Sequence, residues 1–187
     1  MLHPTYPILT ERLALRPYGE GDLDALYDMV RRPEVVRYLY WDVHSREDAA
    51  GMLARRITCD AIRAEGDWLV LAVTLRETGA VLGDVVLKWE SQEHRQGEIG
   101  FVFHPRSQGT GYAHEASREV LRLGFEDLGL HRIVGRCDAR NTASSGLLER
   151  LGLRREAHLV QNEWVKGEWT DELIYAMLGS EWDEGAV

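Results

Sequence analysis

Between residues 103 and 113 the chain reads Phe103-His104-Pro105-Arg106-Ser107-Gln108-Gly109-Thr110-Gly111-Tyr112-Ala113. An apolar run delivers the backbone into two glycines, and a helical pattern begins directly behind them. Glycines at such a turn let backbone amides face outward, and the start of a helix adds positive dipole, so this element suits a phosphate or pyrophosphate. Taken alone, Gly-x-Gly is also compatible with a plain tight turn. Two common phosphate-binding patterns are excluded. A dinucleotide fingerprint needs a third glycine where His114 stands and follows the first strand of a parallel unit, whereas several antiparallel-looking strands come first here. A P-loop needs Gly-Lys-Ser or Gly-Lys-Thr, which the chain lacks.

The flanking periodicities say what must hold this turn. Arg12 to Arg16 alternates polar and apolar residues and stops at Pro17, which predicts a strand. Leu23, Leu26, Tyr27 and Val30 recur at helical spacing behind Asp22, with Pro33 as the stop. Ser45 and Asp48 have capping-box spacing before a second helix expected to run to about Ala64. Residues 68–73 and 80–87 read as a hairpin across Glu77-Thr78-Gly79, and residues 98–103, after a polar loop at 93–97, complete an antiparallel meander. An amphipathic helix over 113–128 then crosses to a strand at 132–137, which must lie parallel to the strand ending at Phe103. A short helix follows Asn141 and ends before Gly152, and residues 159–165 and 169–178 form a last hairpin. The expected fold is α/β (α+β), a mixed, mostly antiparallel sheet flanked by helices.

The chain has 187 residues, enough for one domain with a real core and marginal for two, so a single domain over 1–187 is expected. Apolar content of 44% and charged content of 28% are those of a globular chain, and no run approaches the roughly 18 apolar residues of a membrane helix. Asp and Glu number 31 against 22 Lys and Arg, a net charge of −9. That surface repels phosphate backbones and anionic lipids and favours a cationic partner, so neither nucleic acid nor a membrane is expected. Cys59 and Cys137 are too few for a disulfide framework and read as free buried thiols. The N-terminus lacks a basic segment followed by an apolar stretch and a cleavage site, which makes the cytoplasm the expected compartment. The histidines show no metal-ligand spacing with the cysteines, and no metal is expected.

Gln108-Gly109-Thr110-Gly111-Tyr112-Ala113 resembles the Gln/Arg-x-x-Gly-x-Gly/Ala signature of the GNAT superfamily of acyl-CoA-dependent N-acetyltransferases. Thr10 to Pro17, Glu98-Ile99-Gly100-Phe101, Gly129 to Ile133, Asn141 with Ser144, and Leu148 to Leu153 are similar to its ribosomal-protein alanine acetyltransferase branch, in family order. The resemblance implies a three-layer fold whose sheet splays between the two parallel strands and receives acetyl-CoA there. Pantetheine would pair with the backbone of Phe101, Val102 and Phe103, the pyrophosphate would sit on the amides of Gln108 to Ala113, and Asn141 would bond pantetheine or cap its helix. It also implies an amine acceptor, either a small cationic amine or a protein N-terminus, and a possible homodimer.

Acyl transfer to an amine needs a deprotonated nucleophile, a polarised carbonyl and a proton for the departing thiolate. Many superfamily members place a tyrosine seven residues after the motif asparagine; Leu148 stands there. In the resembling branch a serine contacts the CoA sulfur, and it corresponds to Ser144. Two carboxylates are candidates for the base: Glu98, at the start of the splaying strand, and Glu163, at the branch's separation from that serine. Tyr38, Tyr40, Trp41 and Trp164 are the expected acceptor walls. The missing tyrosine leaves a second reading, a non-catalytic acyl-CoA sensor or interaction module.

Overall fold

The computed structural model describes residues 1–182. Eight strands form one sheet in the order β1-β2-β3-β4-β5-β6-β8-β7. These are β1 (Ile8–Leu9), β2 (Leu13–Pro17), β3 (Trp68–Leu75), β4 (Val81–Ser91), β5 (Gln96–Phe103), β6 (Arg132–Asp138), β7 (Arg154–Val165) and β8 (Glu168–Leu178). Only β5 and β6 run parallel; the other pairings are antiparallel. The mixed, mostly antiparallel sheet of the sequence reading is therefore present.

Helices cover both faces. On one side α1 (Leu23–Val30), the single-turn α2 (Pro33–Val36) and α3 (Arg46–Ile57) precede β3. Leu26, Met29, Met52 and Leu53 pack there on Val70 and Ala72. On the other side α4 (Tyr112–Arg122) and α5 (Thr142–Arg150) bury Ala116, Val120, Leu147 and Leu148 against Leu71, Val85, Ile99 and Ile133. Alternation along each strand is what feeds two cores at once. At β6 the approach is so close that a Cβ on Gly135 would lie 2.5 Å from Leu148 Cδ2, so α5 packs there only over a glycine. Leu148, where the resemblance would place a tyrosine, is a core residue.

Several boundaries depart from the sequence reading. Pro33 does not simply stop α1: the helix ends at Val30 and the proline opens α2 as its first residue, where its missing N–H costs nothing. The box at Ser45 forms as expected, Ser45 Oγ accepting from the Asp48 amide and Asp48 from the Ser45 amide, but α3 stops at Ile57 rather than near Ala64. Beyond it, Ile62 exchanges backbone hydrogen bonds with Leu2, and Val70 N–H donates to the Cys59 carbonyl. These sheet-like bonds compete with a continued helix and win. The helix expected over 113–128 is α-helical only to Arg122 and widens over Leu123–Asp127, where Leu128 N–H reaches back five residues to the Leu123 carbonyl. Strand β4 runs past the expected Leu87 to Ser91, β5 begins inside the expected loop at Gln96, and β7 begins at Arg154 instead of 159. Cys59 and Cys137 are free but only half-buried. Among the described residues no helix is long and apolar enough to cross a membrane.

Candidate active site

Parallel pairing between β5 and β6 lasts from Gln96 to Ile99 on one strand and Arg132 to Gly135 on the other. Past that point β5 keeps its bonds to β4 through Phe103, and β6 keeps its bonds to β8 through Asp138, yet the two strands no longer pair with each other. The sheet is splayed, and one backbone edge of Phe101 to Phe103 is left without a strand partner. Such an edge is a ready template for an extended ligand bearing amides.

Beyond the open edge lies the glycine turn. Gly109 and Gly111 have φ of 74° and 84°, left-handed values that a side chain disfavours. Gly111 is the N-cap of α4 and no side chain caps the helix, so its first amides are unclaimed. Arg12 holds the turn from behind. Its Nη1 donates to the Thr110 carbonyl at 2.9 Å, its Nε to Glu115 Oε2 at 2.7 Å, and its guanidinium lies 4.6 Å from the Tyr112 ring centroid. Glu115 also accepts from the Arg12 amide and from Thr10 Oγ1, which holds its carboxyl below the usual range. A carboxylate in the first turn of α4 would otherwise repel an anion; Arg12 neutralises it. Gln108 reaches back from the turn to donate to the Phe103 carbonyl, and Thr110 Oγ1 donates to Ser107. The donor set and the positive-φ glycines fit a pyrophosphate.

At the splay opens a cavity of about 590 Å³. Glu98, Ser144 and Glu163, drawn from β5, α5 and β7, all line it, with Phe101, Val102 and Asn141. Asn141 caps α5, its Oδ1 accepting from the Ser144 amide at 3.2 Å, which leaves its Nδ2 free to donate. The Ser144 hydroxyl has no protein partner among the described residues. Glu163 owes its direction to an irregularity: the β7–β8 register shifts between Leu159 and Glu163, with Gln161 at φ 49°. Bulges re-aim side chains in this way. Glu163 and Val165 consequently face the cavity, and Trp164 between them does not line it. Trp164 is instead 61% exposed and packs edge-on against Trp169, 5.4 Å between centroids. Of the four expected acceptor walls, Tyr38, Tyr40 and Trp41 line the cavity. Two bonds hold their segment to the last hairpin: Tyr40 Oη donates to Glu163 Oε2 at 2.7 Å, and Lys166 Nζ donates to the Val36 carbonyl at 2.6 Å.

The family description Acetyltransferase (GNAT) domain matches residues 12–154. The chain belongs to the GNAT acetyltransferases. The uncharacterized N-acetyltransferase YnaD of Bacillus subtilis is 32% identical over 176 residues, 94% of this chain and 99% of its own. Spermidine N(1)-acetyltransferase of Vibrio cholerae is 24% identical over 163 residues, 87% of this chain and 91% of its own. Among solved structures, a GNAT-family acetyltransferase from Bacillus anthracis superposes with a TM-score of 0.84 at 30% identity, covering 97% of this chain and all of that one. The protein is thus an N-acetyltransferase that uses acetyl-CoA and acts on an amine.

In this GNAT enzyme the electrostatics distinguish the two carboxylates. Burial pushes the Glu98 carboxyl above its ordinary range, while Arg136, whose Nε is 3.4 Å away, pulls it back. Arg136 is shared with Glu172, a buried carboxylate that also accepts from Asn162. Tyr40 is pushed upward, first by burial of its hydroxyl and then by the bond to Glu163 and the fields of Glu163, Glu172 and Glu98, so it stays a donor. The Cys137 thiol is pushed up to about 11 by burial and neighbouring carboxylates, which keeps it protonated and unreactive beside the splay. Sequence reasoning assigned no role to Arg12 or Arg136. Arg12 lay in view, inside the Thr10 to Pro17 block, but its partners are about a hundred residues away.

Proposed function

We propose that the chain forms one acyltransferase domain over its described residues 1–182, the expected span to 187 reaching beyond them, in which Glu98 is the general base, acting through water, and Glu163 with Tyr40 receives the acceptor ammonium. Ser144 Oγ–H supplies a proton or hydrogen bond to the departing sulfur in place of the missing phenol. Acetyl-CoA, when bound, supplies the thioester; Phe101, Val102, Phe103 and Asn141 Nδ2 hold its pantetheine, and the amides of Gln108, Gly109, Thr110, Gly111, Tyr112 and Ala113 hold its pyrophosphate. What carries the reading is that Glu98, Ser144 and Glu163, from three separate elements, line one cavity at the splay. A base above the ordinary glutamate range is better matched to taking a proton near neutral pH than a fully solvated one. The acceptor is a primary amine, either a small molecule or a protein N-terminus.

Following free thiol from acetyl-CoA against an amine panel tests this. Ser144→Ala is expected to lower kcat roughly 10²-fold with little change in either KM, as loss of a proton donor would. If kcat is unaffected, the serine has no part in the chemistry. A different signature is expected at the turn. Arg12→Ala frees the Thr110 carbonyl and leaves Glu115 uncompensated, raising KM for acetyl-CoA about tenfold or more, the scale of one or two charge-assisted bonds, and sparing KM for the amine. Gly111→Val should act in the same direction, because of its φ of 84° and an Arg12 Nη2 only 3.3 Å from the added Cβ. Equal effects on both substrates would argue against the cradle.

The same reading carries a cytoplasmic location, in which Cys59 and Cys137 stay reduced. It also carries a homodimer, for which exposed Val160, Trp164 and Trp169 on the last hairpin offer an apolar surface.

A further inference from the structure

The cavity does not end at the splay. It continues under the segment between α2 and α3 and across β4 to β3, where Trp68 and Val70 line it. Two strand spacings separate β3 from β5, so this end lies roughly 10 Å from the β5 backbone. Its walls, among them Trp41, Met52, Val70 and Val86, are apolar. Of the cavity's roughly 590 Å³, the end at Phe101, Val102 and Asn141 belongs to the pantetheine arm on the reading above, and the apolar end under β3 and β4 remains for the body of the acceptor.

Polar groups along the cavity are segregated. Glu98, Asp138 and Glu163 stand on β5, β6 and β7 at the splay end, where Arg136 lies 3.4 Å from Glu98 and Arg140 pairs with Asp138, so that, among the described residues, Glu163 is the carboxylate there bound by no arginine. At the β3 end, Arg55 and Arg56 project from α3 and Lys88 lies 5.2 Å from the Trp68 ring centroid; the carboxylate among the described lining residues there is Asp84, whose Oδ2 is claimed by Arg56 and Tyr18 and whose Oδ1 has no partner, so three cations face one carboxylate. Arg55 forms no ion pair among the described residues. Trp41 Nε1 is buried with no hydrogen-bond partner, a donor whose desolvation is uncompensated until something accepts from it. The far end therefore offers donors and net positive charge, the opposite of what a second ammonium would require.

We propose that the acetyl acceptor is a primary amine with an apolar body of aryl size and a carboxylate or carbonyl oxygen at its far end, received by Arg55 and Trp41 Nε1. This rests on the reading that Glu98 and Glu163 hold the amine end. A linear polyamine meets the wrong charge at the β3 end, whereas a para-substituted phenethylamine bridges the two ends at about the right length.

The test measures kcat/KM at saturating acetyl-CoA for 4-(2-aminoethyl)benzoate, phenethylamine and spermidine. The benzoate is expected to exceed phenethylamine about tenfold, the worth of one charge-assisted hydrogen bond, and to exceed spermidine by more. Arg55→Gln should shrink the benzoate-to-phenethylamine ratio to about threefold or less, and Arg55→Glu should invert it. Arg55 is exposed on α3, so both variants should fold. Spermidine outranking the benzoate, no turnover of the benzoate, or a ratio that survives both Arg55 variants overturns the proposal. Glu163→Gln separates the two readings: if it raises no amine KM while the Arg55-dependent ratio persists, the amine-end assignment fails and the far-end assignment stands.

Discussion

Glu98→Gln is expected to lower kcat by roughly 10²- to 10³-fold, leave KM for acetyl-CoA near its original value, and abolish the acidic limb of the pH–rate profile. The amide keeps the size and polarity of the side chain but cannot accept a proton, so what is lost belongs to proton transfer. The sign of the pH dependence follows from the environment. A general base works in its ionised form, so activity falls as pH drops through its folded-state pKa. Burial raises that pKa above the ordinary glutamate value, and the limb should therefore lie at higher pH than a solvated glutamate would give. Arg136 opposes the shift. Removing it in Arg136→Ala should carry the limb to still higher pH and cost rate at neutral pH, a change that a general loss of folding would not produce. Glu163→Gln should behave differently, because Glu163 is engaged by the Tyr40 hydroxyl at 2.7 Å. Its loss should appear mainly in the amine KM. A Glu98→Gln enzyme with an unchanged profile would remove Glu98 from the proton path.

That distinction between two glutamates was beyond the sequence, while much around them was not. The turn at Gly109 and Gly111 was legible because its chemistry is local: two glycines between an apolar strand and an amphipathic helix say how the backbone must bend. The parallel pair followed from connectivity, since a helical crossover forces one such pair into an otherwise antiparallel sheet, whereas its splay was implied only by the family resemblance. Other features depend on partners distant in sequence. Helix α3 stops where Leu2 and Val70 claim the backbone of Ile62 and Cys59, and no propensity within residues 45–64 reports that. Trp164 looked like a pocket wall beside Glu163, but strand alternation puts neighbours on opposite faces, and the irregularity before Glu163 decides which face is which. Arg12 and Arg136 were invisible as site residues because an arginine in an acidic protein is ordinarily a surface charge, and only the fold shows one clasping the glycine turn and the other dividing itself between Glu98 and Glu172.

Asp84→Ala is expected to give the largest loss of stability, about 3–5 kcal/mol, the usual consequence of removing one partner from a buried ion pair. For a chain of this size that corresponds to a fall in Tm of roughly 10 °C or more. Asp84 is fully buried on β4, its Oδ2 accepting from Tyr18 Oη at 2.8 Å and from Arg56 Nη1. Burial pushes the Tyr18 phenol well up, so it remains protonated and keeps donating. Without Asp84, the Arg56 guanidinium, largely buried between α3 and the sheet, has only the Tyr18 hydroxyl at 3.1 Å to face. The pair is not thereby an efficient source of stability. Asp84 Oδ1 is itself buried without a partner, so part of its desolvation is never recovered. Removing both charges in Asp84→Ala with Arg56→Met should accordingly regain most of what the single substitution loses, and urea unfolding of the two single variants and the double variant measures the coupling directly. Strict additivity of the two losses would mean that the pair does not act as a unit. Recovery of stability with altered acceptor preference would identify the pair as a device for the polarity of the cavity floor, kept at a cost to the fold.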